Sequence, residues 1–258
     1  MDVGQYLRRI EYDGPRQPSC AALRGLHRQH LFAVPFENLD IALKTPICLD
    51  LALLYDKIVR DVESYLRRIE YELLIALGFR VQMLSARVRR DDGGFGPEFD
   101  HMLLRVDLEE PWLVDVGFGD SFVDPIVFRA GGADQVNGHR YQVSPFEDEW
   151  QLLRQDDKGE VPLYSFRDVP RQLSEYEEMS TFHQTSPDSG FTKGWICSKA
   201  TRDGHITLAN GRLIVTAGDR EESMLGSNDE VRRCLRDLFA IEFDDSVDLS
   251  RLDNSPKS

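Results

Sequence analysis

Two short segments combine residue types that can move protons. Phe99-Asp100-His101-Met102-Leu103-Leu104 puts a histidine at the start of an apolar stretch, after a glycine-rich loop from Gly93 to Gly96. Val114-Asp115-Val116-Gly117-Phe118-Gly119-Asp120 puts a carboxylate at the end of the next apolar stretch, before two glycines. Pairing of Met102–Leu108 with Trp112–Val116, around Glu109, Glu110 and Pro111, would bring His101 and Asp115 from opposite strands of one ribbon. A carboxylate beside an imidazole fixes its tautomer and stabilises its cation, the role of the third member of a nucleophile–base–orienter triad. Spacing alone also admits a structural role for both residues at their strand ends.

The surrounding pattern supplies the elements that would hold them. Residues 1–79 read as mostly helical. Ser19 can cap a helix carrying Leu23, Leu26, His27 and His30 at helical spacing. A turn-rich stretch follows, and a further helix runs to Gly78 with Val62, Leu66, Ile69, Leu73, Ala76 and Leu77 on one face. From Phe79 the period changes to that of strands. Arg80–Val88, Tyr141–Val143, Trp150–Leu153 and Val161–Phe166 suggest an antiparallel barrel or sandwich. The last third mixes types. Asn210-Gly211 is a hairpin signal between His205–Ala209 and Arg212–Thr216. Ser227-x-x-Glu230 is a capping box that opens a helix with Val231, Cys234, Leu235, Leu238 and Ile241 on one face. The class is therefore α+β. One repeat stands out: YLRRIEY occurs at residues 6–12 and again at 65–71.

The segments YLRRIEYDG, LRGLHRQH, VPFENLDI, ICLD, KIV, ALGFRV, SARV, DHMLLRV, WLVDVGFG, STFHQTSPDSGF and DGHITLANGRL follow one another along the chain. In content and order they resemble the arylamine N-acetyltransferase family. VPFENLD and DVGFG are the specific matches. The resemblance implies an N-terminal helical bundle over residues 1–79, a central antiparallel β-barrel over 80–175, and a linker with a C-terminal α/β lid over 176–258. This is the arrangement of the papain-like cysteine-enzyme superfamily. It also implies a Cys–His–Asp triad that takes acetyl from acetyl-CoA as a thioester and passes it to an arylamine or arylhydrazine nitrogen. His101 falls on the triad histidine and Asp115 on the triad aspartate. Phe36, Phe118 and Gly119 fall on the acceptor pocket, and Glu37 and Asn38 on structural hydrogen-bonding positions. Ser180, Thr181 and Ser189 fall in the stretch joining lid to cleft and are candidates for coenzyme contact.

The cysteine does not carry over. Where the family has RGGxC followed by YELN, this chain reads RDVESYLRRIEYELLI, a shorter interval filled by the second YLRRIEY. Ser64 takes the cysteine position, and Asp61 and Val62 take those of the two glycines. A serine hydroxyl is not stored deprotonated near neutral pH as an activated thiol is. Asp-Val restricts φ and adds bulk and charge where backbone N–H groups should meet an oxyanion. Weak or absent acetyl transfer is therefore expected. The alternative is an inactive relative that keeps the fold and binds coenzyme A or an aromatic ligand. Ser64 also reads simply as a helix-cap serine.

Composition bounds the partners. The chain has 258 residues, 41% of them hydrophobic, enough for a substantial core. A formal net charge of −14 repels nucleic acid and anionic membrane, although a local patch can still hold phosphate. The charged N-terminus predicts no signal peptide, and no apolar run has spanning length. Cys20, Cys48, Cys197 and Cys234 form no CxxC pair, which predicts neither zinc nor disulfides and fits a reducing cytoplasm. His27 and His30 read as packing or capping residues without a metal. The sequence specifies no oligomeric state.

Overall fold

The computed structural model describes residues 1–47, 66–119, 121–131, 133–136, 139–156, 159–244 and 247–252. Cys48, Asp61, Val62 and Ser64 lie outside the described residues, as does Tyr65, the first residue of the second YLRRIEY.

Three helices at the N-terminal end form where the sequence supplies caps or a short apolar run. Asp2 accepts the Gln5 N–H and opens α1 (Val3–Arg9). Ser19 accepts the Ala22 N–H and opens α2 (Cys20–Ala33), as its cap signal predicts. Phe36–Glu37 is a two-residue strand, β1, and Leu39–Leu43 is a short helix, α3. The helix α4 (Leu66–Ala76) ends before Gly78, whose φ of 87° suits a residue without Cβ. Its buried residues Ile69, Leu73 and Leu74 join Leu23, Leu26, Met83, Leu104 and Val114 in one apolar cluster.

The central sheet contains β2 (Arg80–Val88), β3 (His101–Asp107), β4 (Pro111–Val114), β5 (Ile126–Val127), β6 (Ala133–Val136), β7 (His139–Phe146), β8 (Glu149–Asp156) and β9 (Gly159–Phe166). Its eight strands run in the order β5-β4-β3-β2-β9-β8-β7-β6, antiparallel throughout, as a nearly closed barrel. Strand periodicity sorts the side chains. Met83, Leu104 and Val114 face the helices, while Leu84, Leu103 and Leu113 join Val143, Leu152, Tyr164 and Phe166 in a second cluster. Burial on both faces explains why β3 and β4 read as continuous apolar runs rather than as alternating ones. Each fully buried leucine contributes roughly 1.5–3 kcal/mol.

After a 3₁₀ turn at Leu173–Tyr176 come α5 (Glu177–Thr185) and α6 (Gly190–Lys193). A second sheet holds β10 (Ile196–Ala200), β11 (His205–Ala209), β12 (Arg212–Ala217) and β13 (Asp219–Met224), with β1 paired to β10 at its edge. Asn210 and Gly211 have φ of 50° and 75°, the mirror-image turn that their types favour. The helix α7 (Asn228–Phe239) covers this sheet with Val231, Leu235 and Phe239. Ser227 caps it through the Glu230 N–H, but the Glu230 carboxylate reaches the N–H of Gly226 rather than that of Ser227.

Candidate active site

His101 opens β3 opposite Ala86 of β2. Asp115 follows the last residue of β4. The two strands pair through Leu104 and Val114, so the ribbon brings imidazole and carboxylate together. His101 Nε2 lies 2.6 Å from Asp115 Oδ2. The other carboxylate oxygen of Asp115 accepts the Gly117 N–H at 3.0 Å, which fixes its orientation. Both side chains are buried, His101 at 3% and Asp115 at 1% exposure. With Nε2–H donated to Asp115, any proton exchange with a bound molecule runs through Nδ1. The imidazole stacks on Tyr164 at 5.3 Å and meets the edge of Phe118 at 5.1 Å. These rings fix its plane.

His101 lines a cavity of about 590 Å³, a size suited to a small organic ligand. Phe36, Phe118 and Gly119 line it as well, while Asp115 stands behind the imidazole. Ser180 reaches the cavity wall. Thr181 does not: it is exposed, and its hydroxyl donates to the Glu177 carbonyl. Ser189 is a helix cap, accepting the Phe191 N–H at 3.2 Å, while its neighbours Gly190 and Phe191 line the cavity. Asn38 ties this wall together. Its amide donates to the Phe191 and Gly194 carbonyls at 3.0 and 2.9 Å, and its oxygen accepts the Ile196 N–H at 2.7 Å.

Other wall residues have no signal in the sequence. His183 lines the cavity and approaches Asp100, yet nothing along the chain pairs them. Asp100 is visible there only as the residue before His101. Beneath the dyad, His27 Nδ1 lies 3.1 Å from Glu70 Oε1, both fully enclosed. Burial pushes the Glu70 carboxyl above its usual range; the His27 imidazole opposes that, and the charge of nearby Asp115 adds to it. His30 shares a 2.7 Å hydrogen bond with the Tyr6 hydroxyl, and burial, then His27 and Arg9, push its imidazole down to about 3.

Three cysteines are described, and none lines the cavity. Cys20 is exposed on the first turn of α2. Burial pushes the Cys197 thiol well above its usual range and the Cys234 thiol up to about 11, so both are held as thiols. Among the described residues no cluster of His, Cys, Asp or Glu could hold a metal ion. No described helix is long and apolar enough to cross a membrane.

The fold has close counterparts among known proteins. A family model described as N-acetyltransferase matches residues 19–247. The arylamine N-acetyltransferase of Mycolicibacterium smegmatis is 32% identical over 262 residues, covering 95% of this chain and 94% of that one. Arylamine N-acetyltransferase 1 of Homo sapiens is 29% identical, covering 93% and 94%. The solved structure of the Mycobacterium marinum arylamine N-acetyltransferase has a TM-score of 0.89 at 29% identity, over 98% of this chain and 97% of that one. A ribbon-borne His–Asp pair in a helix-backed barrel, and matches along nearly the whole chain, place it plainly: it belongs to the arylamine N-acetyltransferase family.

Proposed function

We propose that the protein catalyses weak acetyl transfer from acetyl-CoA to the nitrogen of an arylamine or arylhydrazine. The observation that carries this reading is the buried 2.6 Å His101–Asp115 pair facing a cavity of about 590 Å³. The Mycobacterium marinum relative has also been solved in complex with CoA. His101 acts as the base, taking a proton through Nδ1, and Asp115 holds its tautomer and stabilises the cation. Phe36, Phe118 and Gly119 shape the acceptor end. Ser180 is the best placed of the three coenzyme candidates, ahead of Ser189 and Thr181. The chain divides functionally into a helical domain (1–79), a barrel domain (80–175) and a lid (176–258), and it works in the cytoplasm on small molecules without a metal.

The rate is low because Ser64 stands at the cysteine position, with Asp61 and Val62 before it. An activated nucleophile with its oxyanion donors is worth several powers of ten in rate. The same substitution favours a second reading, a relative that binds coenzyme A or an aromatic ligand without turnover. Release of free coenzyme A from acetyl-CoA, with and without an arylhydrazine, separates the two. Acceptor-dependent release lost in His101→Ala supports transfer. Release equal to that of the variant, together with measurable coenzyme A binding, leaves the second reading. Neither release nor binding overturns both.

A further inference from the structure

His183 lies on α5 and lines the same cavity as His101. Its Nε2 is 3.3 Å from Asp100 Oδ1, and its Nδ1 is 3.2 Å from Ser189 Oγ. Ser189 is 2% exposed. Its oxygen accepts the Phe191 N–H and shares a second hydrogen bond with His183 Nδ1. His183 Nε2 is buried and makes no aligned hydrogen bond among the described residues, and Asp100 Oδ1 is its polar contact, within ion-pair range. The rings of His183 and Phe191, 5.0 Å apart, hold the imidazole from the side.

Asp100 precedes His101. Its Oδ2 accepts the Val88 N–H at 3.4 Å and sits over Gly96, where an added Cβ would overlap it. Before it, Phe99 has a φ of 66°, the left-handed region that a bulky side chain rarely adopts. Strand residues alternate between faces, yet Phe99, Asp100, His101 and Met102 all line the cavity. The left-handed residue turns the start of β3 so that this is possible. Its N–H donates to Ser85 Oγ at 2.7 Å, and its ring meets the edge of Tyr176 at 5.1 Å. A strained residue persists only where its surroundings over-determine it. Barrel groups hold Asp100 from one side, and His183 meets it from the other.

We propose that His183 is a positioning residue for His101. Through its contact with Asp100 from α5, it keeps the left-handed start of β3 in place and so sets the direction of the dyad imidazole. The lid helix and the base are thereby registered to each other through one side chain. This rests on the reading of His101 as the base.

The test compares wild type with His183→Ala, His183→Gln and Asp100→Asn by proton NMR. The Nε2 proton of His101, in a short bond to a buried carboxylate, resonates far downfield and is assigned by its loss in His101→Ala. In His183→Ala that resonance shifts or broadens, and kcat, where turnover is measurable, falls about tenfold. Glutamine at 183 keeps a polar side chain against Asp100 and restores the resonance; Asp100→Asn removes the carboxylate from that contact and disturbs the resonance as alanine does. A folded His183→Ala chain with the resonance unmoved overturns the proposal, as does glutamine behaving like alanine. A wild-type chain without the downfield proton overturns the dyad itself and the positioning role with it. Absence of turnover alone affects only the proposed activity, because the NMR signal does not depend on it.

Discussion

His30 offers a quantitative test of the buried polar cluster under the dyad. It is 0% exposed, shares a 2.7 Å hydrogen bond with Tyr6, and has its imidazole pushed from 6.5 down to about 3. Burial is the main cause, with His27 and Arg9 adding to it. The folded-state value is depressed, so between those two pH values the unfolded chain binds a proton that the folded chain refuses. Stability contributed by this group is present above the unfolded value and is lost as pH falls towards 3. Near pH 4 the linkage amounts to about 3 kcal/mol relative to mildly alkaline solution. Asp40 works the other way. Burial, and then the charge of Glu37, raise its carboxyl from 3.8 to about 7, so its contribution is lost as pH rises through that window. The two slopes oppose each other, and a raw acid-unfolding curve cannot isolate either. A comparison with His30→Gln can, because glutamine keeps an acceptor for Tyr6 and does not titrate. Urea unfolding of both proteins is measured in alkaline buffer and near pH 4. Wild type is the more stable in alkali, and the gap shrinks by about 3 kcal/mol in acid. A gap that stays constant refutes the reasoning, as does a His30 ring resonance that titrates near neutrality.

Three further substitutions probe the frame. Asp115→Asn keeps its amide oxygen on the Gly117 N–H and turns its NH₂ to His101 Nε2, which forces the imidazole into the other tautomer and removes the buried charged acceptor; we expect a loss of about 1–3 kcal/mol in chemical denaturation. In the same variant, acceptor-dependent coenzyme A release disappears. Asn38→Ala severs the bonds to Phe191, Gly194 and Ile196 and lowers stability by about 2–4 kcal/mol; a loss under about 0.5 kcal/mol would show that water replaces them freely. Gly204→Ala drives a Cβ into the Thr216 carbonyl and costs about 2–3 kcal/mol by thermal unfolding, whereas Gly190→Ala, with no atom near its Cβ position, stays close to neutral.

The ribbon that carries His101 and Asp115 is legible in the sequence because two apolar runs flank a turn, and pairing fixes which ends meet. Ser19 and Asn210-Gly211 are equally legible, since each acts on its own neighbours. The Ser227 box is half legible: the cap forms, and the carboxylate finds the preceding N–H instead. The strands β1, β10 and β13 carry no such local signal. Phe36–Glu37 looks like a turn because its pairing partner, Ser198 and Cys197, is far along the chain. Asp219–Met224 is an exposed edge with acidic side chains, so no apolar period marks it. The repeat shows the limit most clearly. Glu11 is exposed with a φ of 54°, while Glu70, the same residue of the second YLRRIEY, is 1% exposed on a helix beside His27. Identical local sequence takes two conformations because tertiary partners decide. His183 and Asp100 meet only through such long-range assembly. Ser64, at the position where the resemblance expects the cysteine, lies outside the described residues.

The pairing of β1 with β10 also sets an order of events during synthesis. Phe36 leaves the ribosome early, but its partner Ser198 follows only after the whole barrel has been made. Asn38 likewise waits for Phe191, Gly194 and Ile196. Phe191, Ile196 and Ser198 line the cavity, so a nascent chain carries a finished barrel and dyad before it has a pocket. Until then Phe36 and the edge of β1 are open to chaperones or to a second nascent chain. A chain that loses its last third would keep the His101–Asp115 pair and leave it facing a cavity with one wall missing.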